Sequence, residues 1–317
     1  MLHAPRFPAP AILRVRTPAA RLFGRSATLR GAEESNMLRI SRRSFLEAAG
    51  IAAAGPVLDI ASAQNSATTA SIAVEKDVVF GKGGALDLRH DIYKPRAGTE
   101  KRAATIHLHG GGFTGGNKEQ LSERILPYAR AGFTAMSADY RLTGQGSWPA
   151  MNEDVKTAIR WTRANAGRLG IDPARIIVVG YSAGGYLALT AAGTPNRAEL
   201  EGVGGNAGVG TQVAACVAYY AVTEKGPPPS PAAASYVTAA FPPTVLFHGV
   251  ADTTVPIESS QRFVQQLRDA KVPSELHSFA GVAHVFDSQP DLAQVCGQIA
   301  DVFITRHVLN ARPAPTA

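Results

Sequence analysis

Ile176-Ile177-Val178-Val179-Gly180-Tyr181-Ser182-Ala183-Gly184-Gly185-Tyr186-Leu187-Ala188-Leu189 changes character halfway along. Its first half is apolar and β-branched, so residues 175–179 read as a buried strand. Its second half is small and apolar without β-branching, and residues 184–192 read as a helix. Between them lies Gly180-x-Ser182-x-Gly184. A serine on a sharp strand-to-helix turn projects its hydroxyl above the sheet edge. The flanking glycines let strand and helix approach without Cβ clashes. Ser182 is therefore a candidate nucleophile; the alternative is an idle serine in a glycine-flanked turn.

Outward from this turn, strands alternate with helices. Residues 71–80 and 86–93 read as strands separated by the turn signal Gly81-Lys82-Gly83-Gly84. Residues 104–108 and 134–138 are short strands. Residues 151–169 form an amphipathic helix with Val155, Ala158, Ile159, Thr162 and Ala166 on one face. Pro149 suits its start and Gly170 its end. Residues 213–222, 244–248 and 274–279 read as strands, and 259–270 and 292–307 as helices. This order predicts an α/β fold, a mainly parallel central sheet of about eight strands with helices on both faces.

Three further motifs fall at predicted strand ends. His109-Gly110-Gly111-Gly112-Phe113 follows the strand 104–108. A glycine run there lets backbone N–H groups face a developing oxyanion. A phosphate-binding loop is excluded because no Gly-Lys-Ser/Thr follows. His248-Gly249-Val250-Ala251-Asp252 and Gly281-Val282-Ala283-His284 each lie just past a strand. Functional loops collect at the carboxyl ends of parallel strands, so Ser182, Asp252 and His284 are read as nucleophile, orienting acid and base. Asp139 also ends a strand; it reads as a structural ion-pair partner, with triad acid as the alternative. His107 and His248 read as hydrogen-bonded core residues, and His277 as a pleat position. Asp287 and Asp291 follow His284, the wrong order for the acid.

Serine, glycine loop, acid and base together resemble an α/β-hydrolase of the esterase/lipase group. The chain is most similar to bacterial carboxylesterases of the acetyl-xylan/feruloyl esterase-like (BD-FAE-like) type, over about residues 72–308. Pro149-Ala150-Met151-Asn152-Glu153-Asp154-Val155-Lys156, Gly170-Ile171-Asp172-Pro173 and Glu199-Leu200-Glu201-Gly202-Val203-Gly204-Gly205-Asn206 add to the likeness. The resemblance implies ester hydrolysis through an acyl-serine, with no metal or organic cofactor. It also implies oxyanion N–H groups from Gly111, Gly112 and Ala183. Phe113, Trp148 and Tyr181 are candidate pocket aromatics, ordinary packing being the alternative. The chain departs from relatives at Tyr220-Ala221-Val222-Thr223-Glu224, where they often carry Tyr-Gly-Pro-Thr-Asp. Its stretch before the strand 244–248 is short, which implies a short lid and an open cleft. The expected substrate is a small-molecule or polysaccharide-linked ester. A prolyl-oligopeptidase-type or acylaminoacyl-peptidase-like hydrolase, a thioesterase and a non-catalytic binding protein remain alternatives.

The net charge of +7 first suggests a polyanion partner. Residues 1–63, however, hold nine arginines, no lysine and four acids, so most of the excess lies there. Ser41-Arg42-Arg43-Ser44-Phe45-Leu46 resembles the twin-arginine export motif. An Ala-rich stretch and Ala61-Ser62-Ala63 follow, the pattern of a signal peptidase site. Residues 37–63 are thus expected to be an export signal cleaved after Ala63, giving a periplasmic or extracellular protein. Residues 1–36 read as an extension outside the folded body, with an Arg-rich transit peptide as the alternative. Residues 64–317 are expected to be one catalytic domain. No nucleic-acid partner and no membrane insertion are expected, since the longest apolar run is far short of a span. Two cysteines, Cys216 and Cys296, exclude a disulfide scaffold and a cysteine-built zinc site; their pairing stays open.

Overall fold

The β-branched run at the centre becomes strand β5 (Ile176–Tyr181), every residue of it buried. A computed structural model describes residues 72–310, all within the unit Ala61–Ala317. The extension 1–36 and the export signal 37–63 lie outside the described residues. The other strands are β1 (Ala73–Gly83), β2 (Leu86–Lys94), β3 (Ala104–Leu108), β4 (Thr134–Ala138), β6 (Ala215–Tyr219), β7 (Thr244–Gly249) and β8 (Ser274–Phe279). They form one sheet in the order β1-β2-β4-β3-β5-β6-β7-β8. β1 pairs antiparallel with β2, and β2 with β4; every other pairing is parallel. Parallel neighbours need crossovers, and helices lie in most of them: α1 (Leu126–Arg130) between β3 and β4, α2 (Ala150–Ala164) and α3 (Ala166–Leu169) between β4 and β5, α4 (Ala183–Gly193) and α5 (Ala198–Glu201) between β5 and β6, and α6 (Ile257–Asp269) between β7 and β8, while α7 (Pro290–Ile304) follows β8.

The alternation of side chains along each strand divides the core in two. Ile176, Val178, Cys216, Ala218 and Leu246 face one layer with Ile159, Leu187 and Phe263 from α2, α4 and α6. Ile177, Val179, Val217, Val245 and Phe247 face the other, with Tyr128 of α1 and Phe303 of α7. Cys216 and Cys296 belong to opposite layers and are free, buried thiols. Burial pushes both thiols up, away from the reactive thiolate.

Two local readings are corrected and one unread segment gains elements. Gly81 sits inside β1, not in a turn; a Cβ there would lie 2.4 Å from Thr157 and 2.6 Å from the Gly204 carbonyl, so close approach demands the glycine. The helix 151–169 is interrupted at Asn165, whose side-chain amide donates back to the Trp161 carbonyl at 2.9 Å. Between β3 and β4 the 3-10 turn Lys118–Leu121 and α1 intervene, burying Leu121, Ile125, Tyr128 and Ala129.

Candidate active site

Ser182 sits between β5 and α4 at φ 53°, ψ −113°, a region that a non-glycine residue enters only under strain. Three hydrogen bonds hold the turn: the Ser182 N–H donates to Tyr219 O at 2.9 Å, and its carbonyl accepts from Tyr186 at 3.2 Å and Val222 at 3.3 Å. The flanking glycines are steric necessities. A Cβ on Gly184 would lie 2.2 Å from Leu108 O and 2.4 Å from His109 O. A Cβ on Gly180 would lie 2.1 Å from Gly184 O. The helix therefore starts directly against the end of β3.

The Ser182 hydroxyl donates to His284 Nε2 at 2.9 Å, and His284 Nδ1–H donates to Asp252 Oδ2 at 2.6 Å. The carboxylate can only accept, so it assigns the Nδ1–H tautomer and leaves Nε2 free to accept from serine. Asp252 lies in a tight turn after β7, where its Oδ1 accepts the N–H groups of Thr254 and Val255, each at 2.9 Å. The acid and base loops are stitched together: Val250 N–H donates to Phe279 O and Ala251 N–H to Val282 O, both at 2.9 Å. Gly249 permits this contact, since a Cβ there would lie 2.3 Å from Val282 O. His248 is a buried, hydrogen-bonded core residue. Its Nε2–H donates to Val255 O at 2.8 Å and lies 3.3 Å from Asp252 Oδ2, while Nδ1 accepts from Ser260 Oγ at 2.7 Å. Burial lowers its imidazole, and the neutral ring holds the Val255 carbonyl beside the acid.

The glycine loop passes beside the serine: a Cβ on Gly110 would lie 3.3 Å from Ser182 Cβ. Gly111, Gly112 and Phe113 hold φ of 119°, 62° and 66° in succession. The first two are tolerated only because they are glycine. Gly111 O accepts from Thr114 N–H at 3.2 Å and Gly115 N–H at 3.1 Å, closing the loop. Ala183 is the first residue of α4, so its N–H has no acceptor within the helix.

The end of β4 anchors this loop. Tyr140 Oη–H donates to His109 O at 2.7 Å, and the two rings stack at 4.2 Å. Asp139, read as an ion-pair partner, instead accepts the Lys118 backbone N–H at 2.8 Å; Lys118 Nζ pairs with Asp77, Asp91 and Glu119. Burial raises the Asp139 carboxyl. Arg141 forks onto Asp154 of α2 with bonds of 2.7 and 2.9 Å, tying this loop to the helix.

Phe113 and Trp148 are half-buried and pack against the buried ring of Tyr186 at 5.6 and 6.0 Å. Tyr181 does not share this wall. It is 1% exposed, on the opposite side of the sheet, with its ring stacked on Tyr219 at 4.6 Å and its hydroxyl 3.2 Å from His107 Nδ1. The alternation along β5 sends Tyr181 downward as Ser182 turns up, which corrects its reading as a pocket residue. His107 is a buried core residue, its Nε2 3.0 Å from Thr105 Oγ1. His277 on β8 bonds Glu275 at 2.9 Å, away from the serine's partners. Asp287, excluded by order as the acid, is buried and accepts from Tyr220 Oη at 2.5 Å. Tyr220 and Tyr186 were not among the sequence candidates; only their places, just past β6 and one turn after the serine, signal them. Among the described residues no cluster of three or more His, Cys, Asp or Glu is arranged to hold a metal ion.

An eight-stranded, mainly parallel sheet with a serine on the turn after β5 and an acid and a histidine after β7 and β8 defines the α/β-hydrolase fold class. The family profile described as BD-FAE matches residues 90–227, and that of the prolyl oligopeptidase family matches 226–307. An esterase of Thermogutta terrifontis of known structure is 30% identical, with a TM-score of 0.65 over 78% of this chain and 95% of that chain. The probable carboxylic ester hydrolase LipM of Mycobacterium tuberculosis is 28% identical, over 74% of this chain and 62% of the relative. Esterase LipQ of the same organism is 30% identical, over 64% of this chain and 56% of the relative. The chain thus spans little more than half the length of these curated relatives. The chain belongs to the α/β-hydrolase esterases.

Proposed function

We propose that this chain hydrolyses carboxylic esters through an acyl-serine intermediate. The observation that carries the reading is the continuous relay from Ser182 Oγ through His284 to Asp252, with bonds of 2.9 and 2.6 Å. Ser182 Oγ attacks the ester carbonyl while His284 Nε2 takes its proton. Asp252 stabilises the imidazolium and holds the tautomer. The N–H groups of Gly111, Gly112 and Ala183 stabilise the oxyanion. His284 then protonates the departing alcohol. A water attacks the acyl-enzyme, giving its proton to His284, which passes it to Ser182 Oγ as the acyl–serine bond breaks and the carboxylic acid leaves.

The favoured substrates are acetyl- and feruloyl-type esters of small molecules or polysaccharides. The BD-FAE match supports this, as does the link between β6 and β7, residues 220–243, whose one regular element is the 3-10 turn Ala233–Tyr236. The Thermogutta terrifontis esterase is known with butyrate and with propionate bound. That protein is also known phosphorylated by paraoxon, so we expect Ser182 to react with organophosphates. The test is Ser182→Ala: hydrolysis of short p-nitrophenyl esters should vanish with the fold intact, and retained activity would place the nucleophile elsewhere.

The prolyl oligopeptidase match over residues 226–307, which hold the acid and the base, favours a second reading as a peptidase. Faster cleavage of peptide p-nitroanilides than of p-nitrophenyl esters would select it. We further propose export through the motif Ser41–Leu46; N-terminal sequencing of protein secreted by its native host should begin at Gln64.

A further inference from the structure

We propose that Tyr220 is a positioning residue that sets the orientation of the His284 imidazole by anchoring the turn that carries it. The inference rests on the triad reading above. Tyr220 lies just past β6, fully buried, at φ 36°. A bulky side chain occupies such a conformation only where its surroundings enforce it. Its N–H donates to Phe247 O at 2.7 Å, which fixes its backbone to β7. From there the side chain touches three residues of the base turn. Its ring meets the His284 ring at 4.6 Å and 60°, and the Phe286 ring at 5.5 Å and 76°. Its hydroxyl donates to Asp287 Oδ1 at 2.5 Å.

The turn itself needs such an anchor. Val285, directly after the histidine, holds φ 60°, a left-handed conformation that is costly for a β-branched residue. Asp287 is 2% exposed, its Oδ2 makes no hydrogen bond, and Arg124 Nε stands 3.5 Å away. The Tyr220 hydroxyl is thus the side-chain donor within bonding distance of a buried carboxyl that closes the turn. Burial raises that carboxyl, in keeping with a group that depends on its neighbours for stabilisation. Without the phenol oxygen, Asp287 loses its one side-chain hydrogen bond and keeps only the Arg124 ion pair, the turn relaxes, and the imidazole leaves its line between Ser182 and Asp252.

The test compares wild type, Ser182→Ala, Tyr220→Phe, Asp287→Asn and Asp287→Leu, reading kcat and KM on p-nitrophenyl butyrate, the rate of paraoxon modification, and Tm. Tyr220→Phe keeps the ring and removes the oxygen. It should lower kcat and the paraoxon rate about 10–100-fold, the scale of an ångström-level misplacement, with KM within about twofold. Asp287→Asn keeps a carbonyl for the phenol and should stay within about threefold of wild type, whereas Asp287→Leu should fall as Tyr220→Phe does. A folded Tyr220→Phe with wild-type kcat and only a lower Tm overturns the proposal. If that variant does not fold, Asp287→Leu at wild-type kcat overturns it instead. A wild type without esterase activity, or an active Ser182→Ala, overturns the triad reading beneath it and is seen in separate arms.

Discussion

Asp252 accepts two backbone N–H groups on one oxygen and the His284 N–H on the other, so each oxygen is already oriented before substrate arrives. Asp252→Asn would retain the shape but could present an amide N–H to His284 and reverse the tautomer. Its kcat on short esters should fall by about 10⁴, as in the best-studied triad, with little change in Tm. A near-normal rate would move the acid to another residue. At this scale Ser182, Asp252 and His284 are legible because each carries a local motif at a strand end. A motif does not show which side of the sheet each residue faces, so the sequence leaves Tyr181 open between pocket and packing, and the fold selects packing. Tyr220 and Asp287 carry no motif, and their pairing spans 67 residues.

The strand-to-helix turn is decided by backbone contact rather than by side chains. The first turn of α4 rests on the carbonyls of Leu108 and His109, with no room for a Cβ on Gly184. Gly184→Ala should therefore push α4 off β3, lowering stability by about 1–3 kcal/mol and moving Ser182 away from the glycine loop. Thermal melting and esterase rate should fall together; a normal Tm with full activity would show that the helix yields freely. The β-branched run of β5 and the amphipathic face of α2 were readable because burial imposes a period on sequence. α1 was not, because five residues hold too few turns for that period to emerge. The buried set running from the preceding 3-10 turn into α1, Leu121, Ile125, Tyr128 and Ala129, nevertheless has helical spacing.

Taken whole, the molecule buries several neutral histidines. Burial pushes His90 and His107 down to about 3, with the charges of Arg168 and Lys118 adding to the effect at His90. An unfolded histidine titrates near 6.5, so between those values the unfolded chain binds more protons. The stability these groups contribute is complete above about pH 6.5 and is lost as pH falls toward 3, about 2 kcal/mol per histidine by pH 5. Buried Asp139, Asp154 and Asp287 are raised instead and act in the opposite sense, so a single variant isolates the histidine effect. Neither nitrogen of His90 has a hydrogen-bond partner, and its ring packs on Trp161 at 4.4 Å, so a phenyl ring can replace it. His90→Phe should lose less Tm than wild type between pH 7 and pH 5; equal losses would exclude the buried imidazole as the cause. The sequence by itself determined the strand–helix alternation, the elbow serine and the order of acid and base, because local sterics and hydrophobic periodicity are written residue by residue. Only the tertiary structure decided that Cys216 and Cys296 lie in opposite layers and that Tyr181 faces away from the cleft. It alone also brought Tyr220 and Asp287 behind the histidine. Those relations depend on sheet faces and crossovers, which place residues distant in the chain side by side.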